Sequence, residues 1–170
     1  MIIPYSKIIN ASVLELRAQA QVGVVSGVVI KKNDLSIYGL LLKNSFFDLF
    51  APTKVISSLD IIEISNAAVV INDADNISDL KETVRIKEAV DKGYTGIGQL
   101  VTTKSGRRVG HVFDYCIETP SLRITNFNVK KSFSERIIPA NIILKFEGRK
   151  ITVKDDFEPI GVGAIDMEAA

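Results

Sequence analysis

Two halves of this chain align with each other without a gap when the sequence is shifted by 87 residues. Residues 11–43 then lie over residues 98–130, and most pairs keep their character, as Arg17/Lys104 and Leu42/Val129 do. The identical pairs are Val22/Val109, Gly23/Gly110, Val25/Val112, Ile30/Ile117, Leu35/Leu122, Ile37/Ile124 and Lys43/Lys130. Self-similarity at a fixed spacing is the signature of repeated structural units. The sequence therefore predicts one small domain present in two copies.

A second alignment, at an offset of 82, extends the repeat. It places Ile61 over Ile143 and Ile71 over Val153. The 170-residue chain is thus expected to divide into a first module (3–75), a linker (76–92), a second module (93–158) and a tail (159–170). Domains this small bury only about 60% of their unfolded surface. We therefore expect each module to be stabilised by packing against the other.

Both modules consist of short runs rich in β-branched residues and separated by turn residues, a pattern typical of antiparallel strands. Asn33-Asp34 tolerate the positive φ of a tight hairpin turn, and Thr119-Pro120-Ser121 mark the same point in the second module. The predicted strands cover 22–31, 35–43, 55–57, 61–65, 68–72, 108–118, 122–130, 136–138, 142–146 and 150–153. An open sheet of such strands would expose aggregation-prone edges. The predicted fold class is therefore mainly all-β, with two tandem small antiparallel β-barrels.

The segment between the modules has a helical pattern. Asp79 and Glu82 have the spacing of a capping box, with Asp in place of Ser or Thr. Apolar residues recur at roughly helical intervals up to Lys92, and Gly93 is well placed to end the helix. We expect a linker helix that spaces or packs the two barrels.

The formal net charge of +1 hides an uneven distribution of charge. Residues 96–154 carry 11 basic and four acidic side chains, whereas residues 155–170 carry five acidic ones and no basic one. The second module is therefore strongly basic and the tail opposes it.

Neither a signal peptide nor a membrane-spanning segment is predicted. The N-terminus lacks a basic region followed by a long apolar stretch, and no apolar run approaches the ~20 residues that a spanning helix needs. The single Cys116 aligns with Val29 inside an apolar run, which favours a buried structural thiol and excludes an internal disulfide. We expect a cytoplasmic protein.

The motif Val22-Gly23-x-Val25, its counterpart from Arg107 to Asp114, and the following Ile138-Pro139 and Ala67–Ile71 segments resemble the PRC-barrel family. This family is named for the cytoplasmic part of the photosynthetic reaction-centre H subunit and is shared with the C-terminal half of a ribosome-maturation factor. The resemblance covers both modules and leaves out the linker and the tail. It implies small β-barrels that dock onto other macromolecules, with no common set of catalytic residues.

Copy one departs from that pattern, because Gly27 stands where the second copy has Asp114. Within the given residues we expect no counterpart of the transmembrane helix of the reaction-centre subunit or of the N-terminal domain of the ribosome factor. No active site can therefore be carried over from the family.

Few residues of this chain are candidates for catalysis, metal binding or phosphate binding. His111 aligns with Val24, which favours an ordinary strand residue over a general base. One His and one Cys cannot supply the usual zinc ligand set, and Asp155, Asp156 and Glu158 favour a solvated acidic tail over a cation site. Gly96-Ile97-Gly98 precedes a strand and fails the context of a phosphate-binding loop. We expect no enzymatic activity, no metal and no cofactor.

An apolar loop in the first module is the first candidate binding site. Its residues Phe46, Phe47, Leu49 and Phe50 lie in a connection that is longer than its counterpart 131–135. Clustered aromatic side chains dominate the energetics of many interfaces. The alternative, which the sequence favours slightly, is that these rings plug a barrel end or the contact between modules.

A basic set in the second module is the second candidate. Its members are Arg107, Arg108, Lys130, Lys131, Arg136, Arg149 and Lys150. They would meet phosphates or an acidic protein if they shared one end of the barrel. No aromatic residues interleave with them as stacking platforms, so a solvated basic surface or a partner for the chain's own tail is the favoured interpretation.

These observations predict a non-enzymatic adaptor that docks onto a protein partner through two PRC-barrels. The alternative is an RNA- or ribosome-associated assembly factor that uses the basic second barrel. Contact with an anionic membrane surface is a weaker alternative. Whether the modules self-associate into a homo-oligomer is left open.

Overall fold

The computed structural model describes residues 1–43 and 50–157, together with the backbone of residues 160–161. Strand β1 (Ile2–Pro4) and helix α1 (Tyr5–Ile8) precede the repeated elements. Copy one has β2 (Ser12–Glu15), β3 (Ala20–Ile30), β4 (Ile37–Leu42), β5 (Lys54–Ser57), β6 (Ile61–Ile64), β7 (Ala68–Ile71) and β8 (Ile77–Asp79). Copy two has β9 (Leu100–Thr103), β10 (Arg108–Glu118), β11 (Arg123–Lys131), β12 (Ser134–Pro139), β13 (Ile143–Glu147), β14 (Lys150–Val153) and β15 (Ile160–Gly161). Helix α2 (Val84–Asp91) joins the copies. Short 3-10 turns cover Ser58–Asp60, Ala74–Asn76, Leu80–Glu82 and Ala140–Ile142.

The two copies share one topology. The sheet of copy one runs β6-β7-β2-β3-β4-β5-β8, and that of copy two runs β13-β14-β9-β10-β11-β12-β15. Irregularities in the β3–β4 ladder between Val25 and Gly27 recur between Val112 and Asp114 in β10. The predicted fold class is confirmed, because the chain forms a mainly β structure of two barrel-like units joined by a short helix.

The repeat needs one correction in its first strand. Val13 pairs with Gly23 and Val69, whereas Val101 pairs with Gly110 and Ile151. Val13 is therefore equivalent to Val101, and not to Leu100 as the gapless alignment has it. Both valines are fully buried, and a shift of one residue in a strand moves a side chain to the other face of the sheet.

The hairpin tips of the two copies pair with each other. Ile37 donates its N–H to the Leu122 carbonyl at 2.8 Å, and its repeat equivalent Ile124 donates to the Leu35 carbonyl at 2.9 Å. Leu35 and Leu122 have φ values of 55° and 54°, so the positive φ lies one residue beyond the predicted Asn33-Asp34. This reciprocal contact relates the copies as two halves of a symmetric dimer are related.

The N-terminal segment belongs to the sheet of copy two, not to the first module in which it was predicted. Strand β1 pairs antiparallel with β10, with Ile3 opposite Ile117. Asp114 accepts hydrogen bonds from the Ser6 N–H at 3.1 Å and the Ser6 hydroxyl at 2.7 Å. Asp114 therefore anchors α1, which explains why Gly27 at the equivalent position of copy one has lost the carboxylate.

The larger hydrophobic core cluster extends through both copies, and a smaller one packs α2 against copy one. The larger cluster includes Ile30 and Leu40 from copy one and Ile117 and Phe127 from copy two, each fully buried. Ring contacts connect Tyr5 to Tyr115, Tyr115 to Phe127, Phe127 to Phe146, and Phe146 to Tyr94. The two barrel-like units therefore stabilise each other.

The linker helix is shorter than predicted, and the prediction of a capping box between Asp79 and Glu82 was wrong. Asp79 ends β8, where its side chain accepts a hydrogen bond from the Lys54 ammonium at 2.5 Å across the β5–β8 pair. It makes no side-chain cap, because this strand pairing uses its carboxylate. A capping box forms earlier, between Asp73 and Asn76.

Candidate functional site

A groove of about 480 Å³ lies between α2 and the β3–β4 hairpin. Its apolar floor comes from Ile30, Tyr38, Ala89 and Tyr94. Lys31 and Lys32 line it from the end of β3, and Arg85 and Lys92 line it from α2. The groove thus combines two phenol rings with four basic side chains.

Gln99 fixes the C-terminal end of α2, and with it one wall of the groove. Its buried amide nitrogen donates to the Gly93 carbonyl at 3.0 Å and to the Gly148 carbonyl at 2.6 Å. A Cβ at Gly148 would lie only 2.0 Å from the Lys92 carbonyl oxygen. This position therefore needs glycine, because no side chain fits where the β13–β14 turn approaches the end of the helix.

Among the residues that the structure describes, one of the four cations forms an ion pair and three do not. Lys92 forms an ion pair with Glu88 at 2.5 Å, which lowers the pKa of Glu88 and raises that of Lys92. The Lys31 ammonium lies 5.2 Å from the centroid of the Tyr38 ring, a cation–π distance. Within the described part of the chain, Lys31, Lys32 and Arg85 have no ion-pair partner.

The other carboxylate in the groove, Asp34, is already engaged. It accepts hydrogen bonds from the Ser36 N–H at 3.1 Å and the Ser36 hydroxyl at 2.7 Å, and Arg123 lies 3.8 Å away. The hydrogen bond from the Ser36 side chain is the largest cause that holds the pKa of Asp34 below its ordinary value. Asp34 therefore stays ionised and offsets part of the positive charge, but the four basic side chains of the groove outnumber its two carboxylates, Asp34 and Glu88.

We expect the S36A substitution to raise the pKa of Asp34 toward its ordinary value, because the hydroxyl stabilises the ionised carboxylate. Since the folded-state pKa is depressed, the stability that this group contributes is present above its unfolded pKa. That stability is lost as the pH falls through the folded pKa. Carboxyl titration by nuclear magnetic resonance checks the shift, with Asp73, which contacts neither residue, as the control. An unchanged Asp34 titration would contradict the assigned cause.

The predicted basic set is split between two ends of β9. Arg107 lies where β9 ends, because its carbonyl accepts from the Thr103 N–H, whereas the Arg149 carbonyl accepts from the Leu100 N–H where β9 begins. The Lys131 ammonium donates to the Arg108 carbonyl at 3.3 Å. Arg107, Arg108 and Lys131 thus share one end, and Arg149 and Lys150 lie at the other. Lys130 lies in the same cross-strand row as Leu100 and Lys150, and Arg136 lies one row farther from Arg107.

The acidic segment begins at the first of these ends. Asp155 accepts a hydrogen bond from the Ser105 N–H at 2.8 Å in the β9–β10 turn, and this bond lowers the pKa of Asp155. Farther along, the backbone of β15 pairs with Arg136 and Ile137 of β12. The C-terminal segment therefore contacts copy two at the β9–β10 turn and again at β12.

Most of the predicted apolar anchor lies outside the described residues. This holds for Phe46, Phe47 and Leu49. Phe50 is 99% exposed, so its ring does not plug a barrel.

Other sequence candidates are in ordinary surroundings. His111 is exposed on β10, and Cys116 is partly buried, which raises the pKa of its thiol. Among the residues that the structure describes, no cluster of His, Cys, Asp and Glu has the arrangement of a metal site. No helix in these ranges has the length and hydropathy to cross a membrane.

Sequence reasoning missed the groove, because its residues come from four separate parts of the chain. The one local signal was the Lys31-Lys32 pair beside the predicted hairpin turn. Arg85 and Lys92 lie in the predicted linker helix, where nothing marked them as part of a site, and Tyr38 and Tyr94 carried no signal alone.

No protein-family model matches the chain, and no curated protein matches it in sequence. The resemblance to PRC-barrel proteins therefore stays a prediction.

Proposed function

We propose that this protein is a non-enzymatic docking module of the PRC-barrel type that binds a protein partner in the groove between α2 and the β3–β4 hairpin. The observation that carries the proposal is the excess of basic side chains around an apolar floor with two tyrosines. Three of these cations, Lys31, Lys32 and Arg85, form no ion pair within the described part of the chain. Interfaces combine such desolvated aromatic centres with a charged rim. The PRC-barrel resemblance supports the same class of function.

The groove favours a protein partner over nucleic acid. Of its two rings, Tyr38 already faces the Lys31 ammonium, and Tyr94 is partly buried and stacked near Phe146. Bases need free ring faces in succession to stack along a single strand. A polypeptide can instead use the apolar floor and the charged rim together.

Affinity capture from lysate, with and without nuclease, tests this function. We expect nuclease-resistant partners that are lost from the K32E/R85E variant, because two attractive charges become repulsive at the rim. The matched control is R107E/R108E, which makes the same change in net charge at the far end of copy two. It should keep those partners.

Three results would count against the proposal. Partners that vanish with nuclease would favour the RNA- or ribosome-associated alternative. Loss from R107E/R108E but not from K32E/R85E would move the binding surface to the basic end. Loss only from F47D would move it to the apolar loop.

A further inference from the structure

Copy two carries a docked strand on the edge of its long hairpin. The Thr119 N–H donates to the Met1 carbonyl at 2.8 Å, and the Met1 nitrogen donates to the Thr119 carbonyl at 3.0 Å. The pairing continues through Ile3 opposite Ile117. This part of β10 lies past Leu100, where β9 begins, so β1 fills an edge that β9 leaves open.

Copy one has the same edge, and only its first position is filled. Ile30, the equivalent of Ile117, donates its N–H to the Tyr94 carbonyl at 2.8 Å. Tyr94 thus occupies the place of Ile3, but Gly93, with φ of 78°, joins it to α2 instead of to a strand. Lys32, the equivalent of Thr119, has no hydrogen-bond partner for its N–H or carbonyl within the described residues.

The groove therefore lies where β1 would lie on copy two. Its walls add a charge that copy two lacks at this place, since Lys31 and Lys32 replace Glu118 and Thr119. An unpaired strand edge recruits an extended segment through main-chain hydrogen bonds. The cations Lys31, Lys32 and Arg85 favour acidic side chains on that segment.

We propose that the groove binds an acidic extended segment of the partner protein as an added antiparallel strand, which exchanges hydrogen bonds with the Lys32 N–H and carbonyl. This inference rests on the proposed docking function and specifies the chemistry of the partner. The segment continues the pairing that Tyr94 begins, as β1 does along β10.

An added strand accounts for the unpaired Lys32 N–H and carbonyl better than a small anion does. A free phosphate would be held mainly by charge-assisted hydrogen bonds from the lysine and arginine side chains, and such binding does not require the Lys32 carbonyl. A peptide backbone supplies both a donor and an acceptor at each alternate residue.

The test uses a fluorescent hexapeptide that alternates aspartate and isoleucine, titrated with the full chain and followed by anisotropy. We expect saturable binding that weakens about tenfold or more when one peptide nitrogen is methylated, because a ladder hydrogen bond and its geometry are lost. A hexapeptide with lysine in place of aspartate should not bind. K32E/R85E should lose binding, and R107E/R108E should keep it.

Hydrogen exchange at the Lys32 amide distinguishes main-chain pairing from binding through side chains alone. Saturating peptide should slow exchange of the Lys32 amide about tenfold or more, because the amide becomes part of a ladder. Equal binding by the methylated peptide, or unchanged exchange at Lys32, would overturn the strand pairing. Displacement of the peptide by inorganic phosphate at equal concentration would overturn it in favour of an anion site.

Different results would refute the acidic strand and the docking function. If the hexapeptide does not bind while captured partners still depend on Lys32 and Arg85, the acidic strand is wrong and the docking function stands. If captured partners ignore both residues, the docking function itself fails.

Discussion

Replacing Gly110 by alanine should destabilise the protein by about 3 kcal/mol or more, because it combines backbone strain with a steric clash. Gly110 has φ of 147°, a conformation that L-residues rarely adopt. A Cβ there would lie 2.5 Å from the Lys130 carbonyl oxygen and 2.8 Å from its carbonyl carbon. These atoms belong to the backbone of β11, so no side-chain rotation relieves the clash.

The repeat supplies the matched control, since Gly23 is the identical residue of copy one. A Cβ at Gly23 would meet the Leu42 Cδ1 at 3.1 Å, the end of a flexible side chain, and its φ lies outside the glycine region. We expect G23A to change the free energy of unfolding by about 1 kcal/mol or less, partly offset by the lower entropy of the unfolded chain.

Thermal and urea unfolding of both variants measure the difference. For a chain of this size, a loss of 3 kcal/mol lowers the Tm by about 6–12 °C. Equal destabilisation by G110A and G23A would show that the approach of β11 to Gly110 is looser than the distances state.

Much of the fold was predictable from the sequence, because repetition supplies long-range information that a single copy lacks. The predicted strand 108–118 coincides with β10, and 150–153 coincides with β14. The equivalences of Ile61 with Ile143 and of Ile71 with Val153 hold in the pairings β6–β7 and β13–β14. These strands follow their hydrophobic pattern because each has one buried face.

The parts that sequence reasoning missed depend on contacts outside the repeat. Strand β1 has only three residues, and nothing local indicates that it crosses to Ile117 of the other copy. Asp79 fits a helix cap by spacing, but its carboxylate pairs with Lys54 once β8 joins the sheet. In both cases tertiary pairing overrides the local signal.

The groove could not be predicted from the sequence for a related reason. The groove is positively charged because four basic side chains line it against two carboxylates, Asp34 and Glu88. Within the described residues, Asp34 pairs with Arg123 and Glu88 with Lys92, whereas Lys32 and Arg85 have no ion-pair partner. Sequence counts treat these charges as balanced in the first module and the linker. Only the placement of α2 beside the β3–β4 hairpin separates the paired charges from the unpaired ones.

The continuous core leads to a prediction about cooperativity. Replacing Phe127 by alanine should cost about 3–5 kcal/mol, because it removes a fully buried ring and leaves a cavity. The ring centroid of Phe127 lies 5.6 Å from that of Tyr115 and 6.1 Å from that of Phe146. The control is F133A, whose side chain is 100% exposed and whose loss should cost about 0.5 kcal/mol or less.

The loss should not stay within copy two. Ile30 and Leu40 of copy one belong to the same core as Phe127, and the hairpin tips exchange the hydrogen bonds at Leu35 and Leu122. We therefore expect F127A to unfold in one transition, with hydrogen-exchange protection falling equally at buried amides of β4 and β11. Protection that persists in β4 after β11 has exchanged would mean that the two units fold independently. The reciprocal contacts argue against that outcome, because separating the copies would break the hydrogen bonds at Leu35 and Leu122 and divide the shared hydrophobic core.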